Sequence, residues 1–250
     1  MRARGYAPYS GSPANNALMD DIVARAAPGM VAVFDLDGCL FDTRPRQVRI
    51  FRELAGLRAW PQLCAVREEH FLDWSLRRTM TNAGIDAAWI DEHETVIRAY
   101  WERTFFSSLY VTYDHAMPGA PELVRAVWER GAQVVYLTGR DVSMAPGTEA
   151  ALRAFGYPYN AVRTTLLVKP RFDMDDTLFK DQALEHIASL GTTNIYLDNE
   201  PANVNMFKTR HPDALVVFVE TDHSPRADEP TAAIPWLRSF WRVLPAEGSL

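Results

Sequence analysis

Lysine is scarce in this sequence of 250 residues. Only Lys169, Lys180 and Lys208 occur, so 23 of the 26 basic residues are arginines. Any chemistry that needs a lysine side chain therefore has three candidates. Cysteine is scarcer still, because Cys39 and Cys64 are too few for a disulfide framework or a cysteine-rich zinc site. Two cysteines in a chain of this length fit a reducing compartment.

Long apolar runs and an excess of basic charge are also missing. No stretch of about 18 apolar residues occurs, which argues against a membrane span. Residues 1–16 lack the apolar segment of a secretory signal, so we expect a cytoplasmic protein. With 26 basic against 32 acidic residues, the formal net charge is −6. No general positive field would therefore attract nucleic acid or an anionic membrane.

The sequence does contain an alternation of strand-like and helix-like segments. A continuous apolar run, MVAVF, ends at Asp35, and strand and helix patterns alternate from Pro118 to about Val219. Such alternation is typical of an α/β fold in which right-handed crossovers place helices on both faces of a parallel sheet. We therefore predict a Rossmann-like core.

A second unit interrupts this pattern. After Arg46 the arginines, aromatics and branched apolar residues recur at helical spacing, and no strand is predicted until the alternation resumes. The predicted domain organisation is an N-terminal extension (1–30), a core (31–45 and 113–222), an inserted all-helical cap (46–112), and a C-terminal tail (223–250) with a short helix around Trp236–Trp241.

The predicted strands of the core end in residues that can do chemistry. The first strand ends at Asp35-Leu36-Asp37, the second at Thr138–Asp141, the third at Lys169 and the fourth at Asp198–Glu200. Ligands of open parallel sheets bind outside the carboxyl ends of the strands, so we expect these side chains to converge. Clustered carboxylates repel one another unless a cation neutralises them, and hard oxygen ligands suit Mg²⁺. A carboxylate beside Mg²⁺ can attack phosphorus and form an aspartyl-phosphate.

Four motifs in order carry a family resemblance. The sequence DLDGCLFDT at 35–43 resembles the first motif of the haloacid dehalogenase superfamily of phosphohydrolases. The strand ending at Thr138 resembles the second motif, Lys180 the third, and LDNE at 197–200 the fourth. The resemblance extends from about Val31 to Val219, and it implies a helical cap of the type inserted after the first motif.

The resemblance also implies catalytic and metal-binding roles. Asp35 resembles the nucleophile and a Mg²⁺ ligand of the family. Asp37 resembles the general acid/base, which would also bind Mg²⁺ through its backbone carbonyl. Asp198 resembles the acidic Mg²⁺ ligand of the fourth motif. Asn199 and Glu200 stand where the family often has a second aspartate, so the metal site is expected to depart from the family pattern there.

A further set of residues is predicted to bind the phosphorylated substrate. Thr138 and Lys180 resemble the family's phosphate-binding pair, and Gly139 and Arg140 continue the same strand end. Arg44 follows the first motif, as do Arg46 and Arg49, and this group can either meet an anionic substrate or form a solvated helix face.

Two lysines compete for the role of the third motif. Lys169 ends a strand, whereas Lys180 begins the helix that precedes the fourth strand. A helix in that position starts at the carboxyl edge of the sheet, so we favour Lys180. The stretch LLVKPRFDMDDTLFK and the sequence TGRD at 138–141 also resemble, loosely, polynucleotide kinase–phosphatases.

These observations predict a Mg²⁺-dependent phosphohydrolase that acts on a small phosphorylated metabolite through an aspartyl-phosphate. Asp37 argues against dehalogenase chemistry, and the absence of lysine from 46–112 argues against phosphonatase chemistry. The alternatives are a phosphomutase, a polynucleotide 3′-phosphatase, which the charge and the cap oppose, and a catalytically silent protein that binds a phospho-ligand. The sequence leaves the substrate and the oligomeric state open.

Overall fold

The fold is built around one parallel sheet. The computed structural model describes residues 12–224 and 228–243. The strands are β1 (Met30–Phe34), β2 (Phe41–Asp42), β3 (His115–Ala116), β4 (Gln133–Asp141), β5 (Thr164–Lys169), β6 (Thr192–Asp198), β7 (Leu215–Val219) and β8 (Trp236–Leu237). The main sheet has the order β5-β4-β1-β6-β7-β8 with every neighbouring pair parallel, while β2 and β3 form a separate antiparallel pair.

The helices lie between these strands in the alternation that the sequence predicts. They are α1 (Pro13–Arg25), α2 (Arg44–Arg58), α3 (Leu76–Asn82), α4 (Ala87–Phe105), α5 (Ser108–Val111), α6 (Ala120–Glu129), α7 (Ala145–Ala154), α8 (Asp176–Leu190) and α9 (Pro201–Arg210). The predicted α/β fold with a Rossmann-like parallel sheet is confirmed. None of the helices described is long and apolar enough to cross a membrane.

Strand β1 lies in the middle of the sheet and is buried on both faces. Ala32 and Phe34 belong to the apolar cluster that includes residues of α1, α6 and α7. Val31 and Val33 belong to the cluster that includes residues of α8 and α9. Successive strand residues point to opposite faces, so a continuous apolar run is what a strand between two helical layers requires.

The helices α2 to α5 form the inserted unit and have their own apolar cluster. This cluster contains Phe51, Ile90 and Trp101, among others, and it is separate from the two clusters that flank the main sheet. The chain leaves the core along β2 and returns along β3, and the two strands pair through Phe41 with Ala116 and Asp42 with His115. The two crossings between core and cap therefore lie side by side.

The C-terminal tail differs from the sequence prediction. Instead of a short helix around Trp236–Trp241, the chain forms β8 and pairs in parallel with β7 through Phe218 and Trp236. Ile234, Leu237 and Phe240 are buried although no helix forms here. The unpaired edge of β7 instead accepts an extended chain. Parts of the predicted extension and tail, residues 1–11, 225–227 and 244–250, lie outside the described residues.

Candidate active site

The carboxyl edge of the main sheet brings the predicted residues together. From β1 the chain moves through β4 to β5 on one side, then returns to β6 on the other side, so the order reverses beside β1. Asp35 follows β1 at this point and Asp198 ends the neighbouring β6. A reversal of strand order opens a crevice at the carboxyl ends, which is where ligands of such sheets bind.

Lys180 links the two aspartates that flank this reversal. Its Nζ donates to Asp35 Oδ1 at 2.6 Å and to Asp198 Oδ2 at 2.7 Å. Helix α8 begins at the carboxyl edge, where the side chain of Asp175 caps it by accepting from the Leu178 amide, so Lys180 enters the site from its second turn. We call Asp35, Lys180 and Asp198 the lysine cluster.

The lysine cluster is buried, and burial shapes its charges. Burial raises the pKa of Asp35 well above its usual value, and the opposing attraction of Lys180 does not cancel this effect. Burial alone would lower the pKa of Lys180, but the charges of Asp198 and Asp35 outweigh it and raise that pKa. Lys180 therefore stays charged, and a further cation near Asp35 would favour its ionised form.

Asp198 is held more completely than Asp35. Its Oδ2 also accepts from Tyr196 Oη at 2.5 Å and from Asn203 Nδ2 at 3.1 Å, and its Oδ1 accepts from the Glu200 amide at 2.8 Å. The residue has no exposed surface. Within the described part of the chain, Oδ2 of Asp35 accepts no hydrogen bond from any side chain. Asp35 is thus the carboxylate of this cluster that has an oxygen left for chemistry.

A second ionic group surrounds Asp37. Arg140 donates from Nε and Nη2 to the two oxygens of Asp37, at 3.0 and 2.5 Å, and from Nη2 to Asp114 Oδ2 at 2.7 Å. Arg46 donates from Nη2 to Asp37 Oδ1 at 3.0 Å. Its Nε lies 2.8 Å from Asp114 Oδ1, an ion pair whose angle does not make a hydrogen bond. We call Asp37, Arg46, Asp114 and Arg140 the arginine cluster.

The arginine cluster gives its two carboxylates opposite properties. Burial would raise the pKa of Asp37, but Arg140 and then Arg46 outweigh it and lower the pKa to about 2. Burial raises the pKa of Asp114 to about 6, against the attraction of the same two arginines. Arg46 has no exposed surface, and its guanidinium carbon lies 4.0 Å from the centre of the Phe105 ring. Asp37 is therefore ionised at neutral pH.

The end of β4 places Thr138, Gly139 and Arg140 against the other two clusters. Thr138 is buried, and its Oγ1 accepts from the Arg140 amide at 3.2 Å. A Cβ at Gly139 would lie 2.4 Å from Oδ2 of Asp176, so a larger residue there would require the Asp176 side chain to move. The turn after β1 requires a glycine, because Gly38 has a φ of +74° and a Cβ there would lie 2.2 Å from Asn199 Nδ2.

Two of the basic candidates bond to partners other than Asp35. Lys169 donates to the carbonyls of Phe172 and Met174 and to Asp176, so it holds the loop between β5 and α8. The geometry therefore places Lys180, rather than Lys169, against Asp35. Arg44 forms a two-point ion pair with Asp42, with both distances 2.7 Å, and is not among the described residues that line the cavity.

The residues that follow Asp198 face the cavity. Asn199 lines it, and its Nδ2 donates to the Asp222 carbonyl at 2.6 Å, which leaves Oδ1 as the acceptor. Glu200 also lines the cavity, but its carboxylate accepts from the amide and the hydroxyl of Ser224 at 2.7 and 2.6 Å. Burial raises the pKa of Glu200, and the Ser224 bonds oppose that rise.

The cavity over these groups has a volume of about 280 Å³. Its floor consists of core residues, including Asp35, Asp37, Thr138 and Lys180. Its other described lining residues are Trp74, Phe105, Phe106, Gly139, Arg140, Met144, Lys169, Phe172, Asp176, Thr177, Asn199, Glu200, Ala202, Asn203 and Ser224. Ligand pockets in proteins commonly start at about 300 Å³, so the cavity suits a small ligand.

The donor set at this edge fits a hard divalent cation. Together the two clusters hold four carboxylates and three basic side chains, so with every group ionised they carry one negative charge in excess. Among the described residues, no three Asp, Glu, His or Cys side chains are grouped to hold a metal by themselves. Mg²⁺ does not require such a group, because it is usually bound through one or two carboxylates with water and substrate phosphate.

Sequence reasoning missed part of the site. Asp114 and Tyr196 were not singled out, and Arg46 was left open between binding an anionic substrate and lying on a solvated helix face, whereas it is buried in ion pairs with Asp37 and Asp114. Arg49 does lie at the surface, where it pairs with Glu53. The available signal for Arg46 and Asp114 was their position close to the two crossings between core and cap. Cys39 is fully buried against the floor, as expected of a small packing residue.

Comparisons with known proteins agree with this architecture. Residues 30–167, more than half of the chain, match the model of a family described as haloacid dehalogenase-like hydrolase. Comparison with curated proteins gave no match.

Solved structures with a similar fold have low sequence identity. A haloacid dehalogenase superfamily hydrolase of subfamily IA, variant 1, from Geobacter sulfurreducens has a TM-score of 0.53 and 14% identity, over 86% of this chain and 94% of that chain. CbbY from Rhodobacter sphaeroides in complex with phosphate has a TM-score of 0.50 and 15% identity, over 85% of this chain and 95% of that chain. Protein Tyrosine Kinase A from Mycobacterium tuberculosis has a TM-score of 0.51 and 18% identity, over 84% of this chain and 93% of that chain. These likenesses show the fold.

Proposed function

The chain belongs to the haloacid dehalogenase-like hydrolase family, and we propose that it is a Mg²⁺-dependent phosphatase that hydrolyses a small phosphomonoester through an aspartyl-phosphate at Asp35. The observation that supports this proposal most directly is the position of Lys180 between Asp35 and Asp198 on the floor of the cavity. A nucleophilic carboxylate and a fixed cation at one point are what phosphoryl transfer requires.

In the first half of the proposed reaction, a carboxylate oxygen of Asp35 bonds to phosphorus, and the bond from phosphorus to the ester oxygen breaks. Lys180 holds Oδ1 of Asp35 at 2.6 Å, so the opposite oxygen is the one free to attack. Lys180 and Thr138 line the cavity with Asp35, so the ammonium and the hydroxyl are the groups we propose to stabilise the phosphoryl oxygens. The ester oxygen leaves as the alcohol by taking a proton from Asp37, which must therefore be protonated when the substrate is bound.

In the second half, water attacks phosphorus and the bond to Asp35 breaks, which releases phosphate. Asp37 takes the proton from that water, because its low pKa keeps it ionised before the attack. For Asp37 to donate a proton to the leaving alcohol beforehand, its pKa must rise. Arg140 lines the cavity and could provide that rise if its donors turned from Asp37 to the substrate phosphate.

Mg²⁺ would neutralise the excess negative charge of the site and part of the charge of the phosphoryl group. The proposed protein ligands are the Asp35 carboxylate, the backbone carbonyl of Asp37 and the Asp198 carboxylate. Both carboxylate oxygens of Asp198 already accept hydrogen bonds. Asn199 also lines the cavity and its Nδ2 is engaged by the Asp222 carbonyl, so its Oδ1 is a competing third ligand. Mg²⁺ titrations monitored by calorimetry on Asp198→Asn and Asn199→Ala separate the two, because removing the true ligand weakens Mg²⁺ binding.

A small substrate is favoured by the enclosure of the site. The cavity of about 280 Å³ is roofed by cap residues, and a long polymer would need an open basic groove. This observation also weighs against the alternative of a polynucleotide 3′-phosphatase.

The direct test is phosphate release from a panel of phosphomonoesters, with Mg²⁺ and with EDTA. We expect release that EDTA abolishes and that Asp35→Asn reduces by several orders of magnitude, because an amide is a poor nucleophile. Asp181→Asn is a matched control, since Asp181 forms a surface ion pair with Arg210 on the outside of α8. Full activity in EDTA would exclude the metal, and near-normal turnover of Asp35→Asn would exclude the nucleophile.

A further inference from the structure

The cap covers the site with aromatic side chains. Trp74, Phe105 and Phe106 are the cap residues that line the cavity within the described part of the chain. Phe172, from the loop between β5 and α8, meets Phe106 edge to face with ring centres 4.8 Å apart. Phe172 is 56% exposed although its ring belongs to the cavity wall. An apolar ring at the mouth of a cavity is a surface that a ligand can cover.

We propose that the organic part of the substrate is a flat, largely apolar ring, so that the protein is selective for aryl or arylmethyl phosphomonoesters over sugar phosphates. This inference rests on the function proposed above and names its substrate class. Aromatic rings pair favourably edge to face or offset when their centres are 4.5 to 7 Å apart. A ring lying in the cavity against Phe106, Phe172 and Trp74 would find such partners beside the phosphate site.

The cap wall is held firmly enough to select a shape. Phe105 is almost fully buried, stacks on Trp101 with centres 4.4 Å apart, and lies against the guanidinium of Arg46. Trp74 meets Phe105 edge to face at 5.8 Å. Rings already fixed by packing lose little further freedom when a ligand binds, which favours affinity.

A sugar phosphate would find few partners for its hydroxyls. The polar side chains of the lining largely bond to one another or to the backbone: Thr177 to Asn203, Asn203 to Asp198, Ser224 to Glu200 and Asn199 to Asp222. The cap residues of the lining, Trp74, Phe105 and Phe106, are aromatic, and the one side-chain donor among them, Trp74 Nε1, is itself buried from the cavity. Hydroxyl groups removed from water without partners lose affinity.

The test is calorimetric titration of the full chain with Mg²⁺ present, using inorganic phosphate, benzylphosphonate and the phosphonate analogue of ribose 5-phosphate. We expect benzylphosphonate to bind at least about tenfold more tightly than the ribose analogue, since ring pairing and apolar burial both favour it. Phe172→Ala should reduce that preference about fivefold or more. Trp241→Ala, which removes an exposed ring of the C-terminal tail, should leave it unchanged.

The outcomes separate this inference from the proposed function. Equal or tighter binding of the ribose analogue, or an unchanged preference in Phe172→Ala, would overturn the aromatic selectivity while phosphate binding still supports a phosphatase. If neither inorganic phosphate nor either phosphonate bound, the floor would not be a phosphate site, and the proposed function itself would fail. Phe172 lies in an exposed loop, so its removal should not unfold the chain, and thermal unfolding checks this.

Discussion

The lysine cluster contains Asp35 and the arginine cluster contains Asp37, two positions further along the sequence. The two clusters shift the pKa values of these aspartates in opposite directions. In the lysine cluster one cation faces two carboxylates, and the pKa of Asp35 is raised. In the arginine cluster two cations face two carboxylates, and the pKa of Asp37 falls to about 2. Pairs of acidic groups whose surroundings separate their pKa values commonly divide the roles of an active site.

The clusters also differ in where their residues come from. The lysine cluster belongs to the core alone, at the ends of β1 and β6 and the start of α8. The arginine cluster joins the core to both crossings, because Arg46 lies on α2 and Asp114 directly precedes β3. Asp35, the proposed nucleophile, is therefore fixed by the sheet, whereas Asp37, the proposed acid/base, is fixed by contacts that also anchor the cap.

Breaking the lysine cluster should have the largest effect. Lys180→Gln leaves Asp35 and Asp198 buried without their cation, and removing one partner of a buried ion pair costs about 3–5 kcal/mol. We expect the free energy of unfolding in urea to fall by that order and phosphate release to be lost. Lys208→Gln is the control, because Lys208 bonds to carbonyls beyond α9 and should cost much less. Equal losses of unfolding free energy and of phosphate release in both variants would show that the buried ion pairs of Lys180 contribute no more than a surface lysine does.

Breaking the arginine cluster should have a smaller effect on turnover and a distinct signature. Arg46→Gln removes one of the two cations that lower the pKa of Asp37, so that pKa rises and the acidic limb of the pH–rate profile moves to higher pH. The turnover number should fall by about ten- to a hundredfold, the range of a general acid/base contribution.

The control for that prediction is Arg49→Gln, three positions further along α2, whose side chain pairs with Glu53 at the surface. Its profile should match that of the unchanged chain. An Arg46→Gln profile with lower turnover but an unmoved acidic limb would mean that Arg46 supports only the packing of the cap.

The smallest effect is expected at Asp114. Its pKa is about 6 when folded against a usual 3.8, so the folded chain binds the additional proton between these values. A proton bound more tightly in the folded state means that this group loses stability as pH rises from about 4 to 6. The free energy of unfolding of Asp114→Asn, minus that of the unchanged chain, should therefore increase over this range. Urea denaturation at pH 4, 5 and 6 measures it, and a difference that falls with pH would contradict it.

Much of the fold could be predicted because its signals are local. The buried strands are apolar runs, and the alternation from Pro118 onward predicted the succession of strands and helices that contains α6 to α9. The tail could not be predicted in the same way, because β8 forms only where the edge of β7 is available. That pairing joins residues near 218 and 236, which are distant in the sequence, and it produces no periodic pattern of apolar residues in the tail.

The two clusters show the same division. Asp35 and Asp198 were predicted as site residues because each lies at the end of a predicted strand. Lys180 was favoured over Lys169 because its helix was predicted to start at the carboxyl edge of the sheet. The arginine cluster combines residues 37, 46, 114 and 140 from four separate segments. A charged residue on a helix is usually solvated, so the burial of Arg46 could be recognised only once the pairing of β2 with β3 brought the two crossings together.

The most direct measurement of the division between Asp35 and Asp37 is mass spectrometry of the Asp37→Asn variant, quenched in acid after mixing with Mg²⁺ and an aryl phosphate. An acidic phenol leaves without help from a general acid, so Asp35 should still become phosphorylated, while hydrolysis slows for want of a base. We expect a phosphoryl group on the peptide that contains Asp35, at a higher level than in the unchanged chain. Turnover of the aryl phosphate with no phosphoryl group on Asp35 at any time would contradict the account.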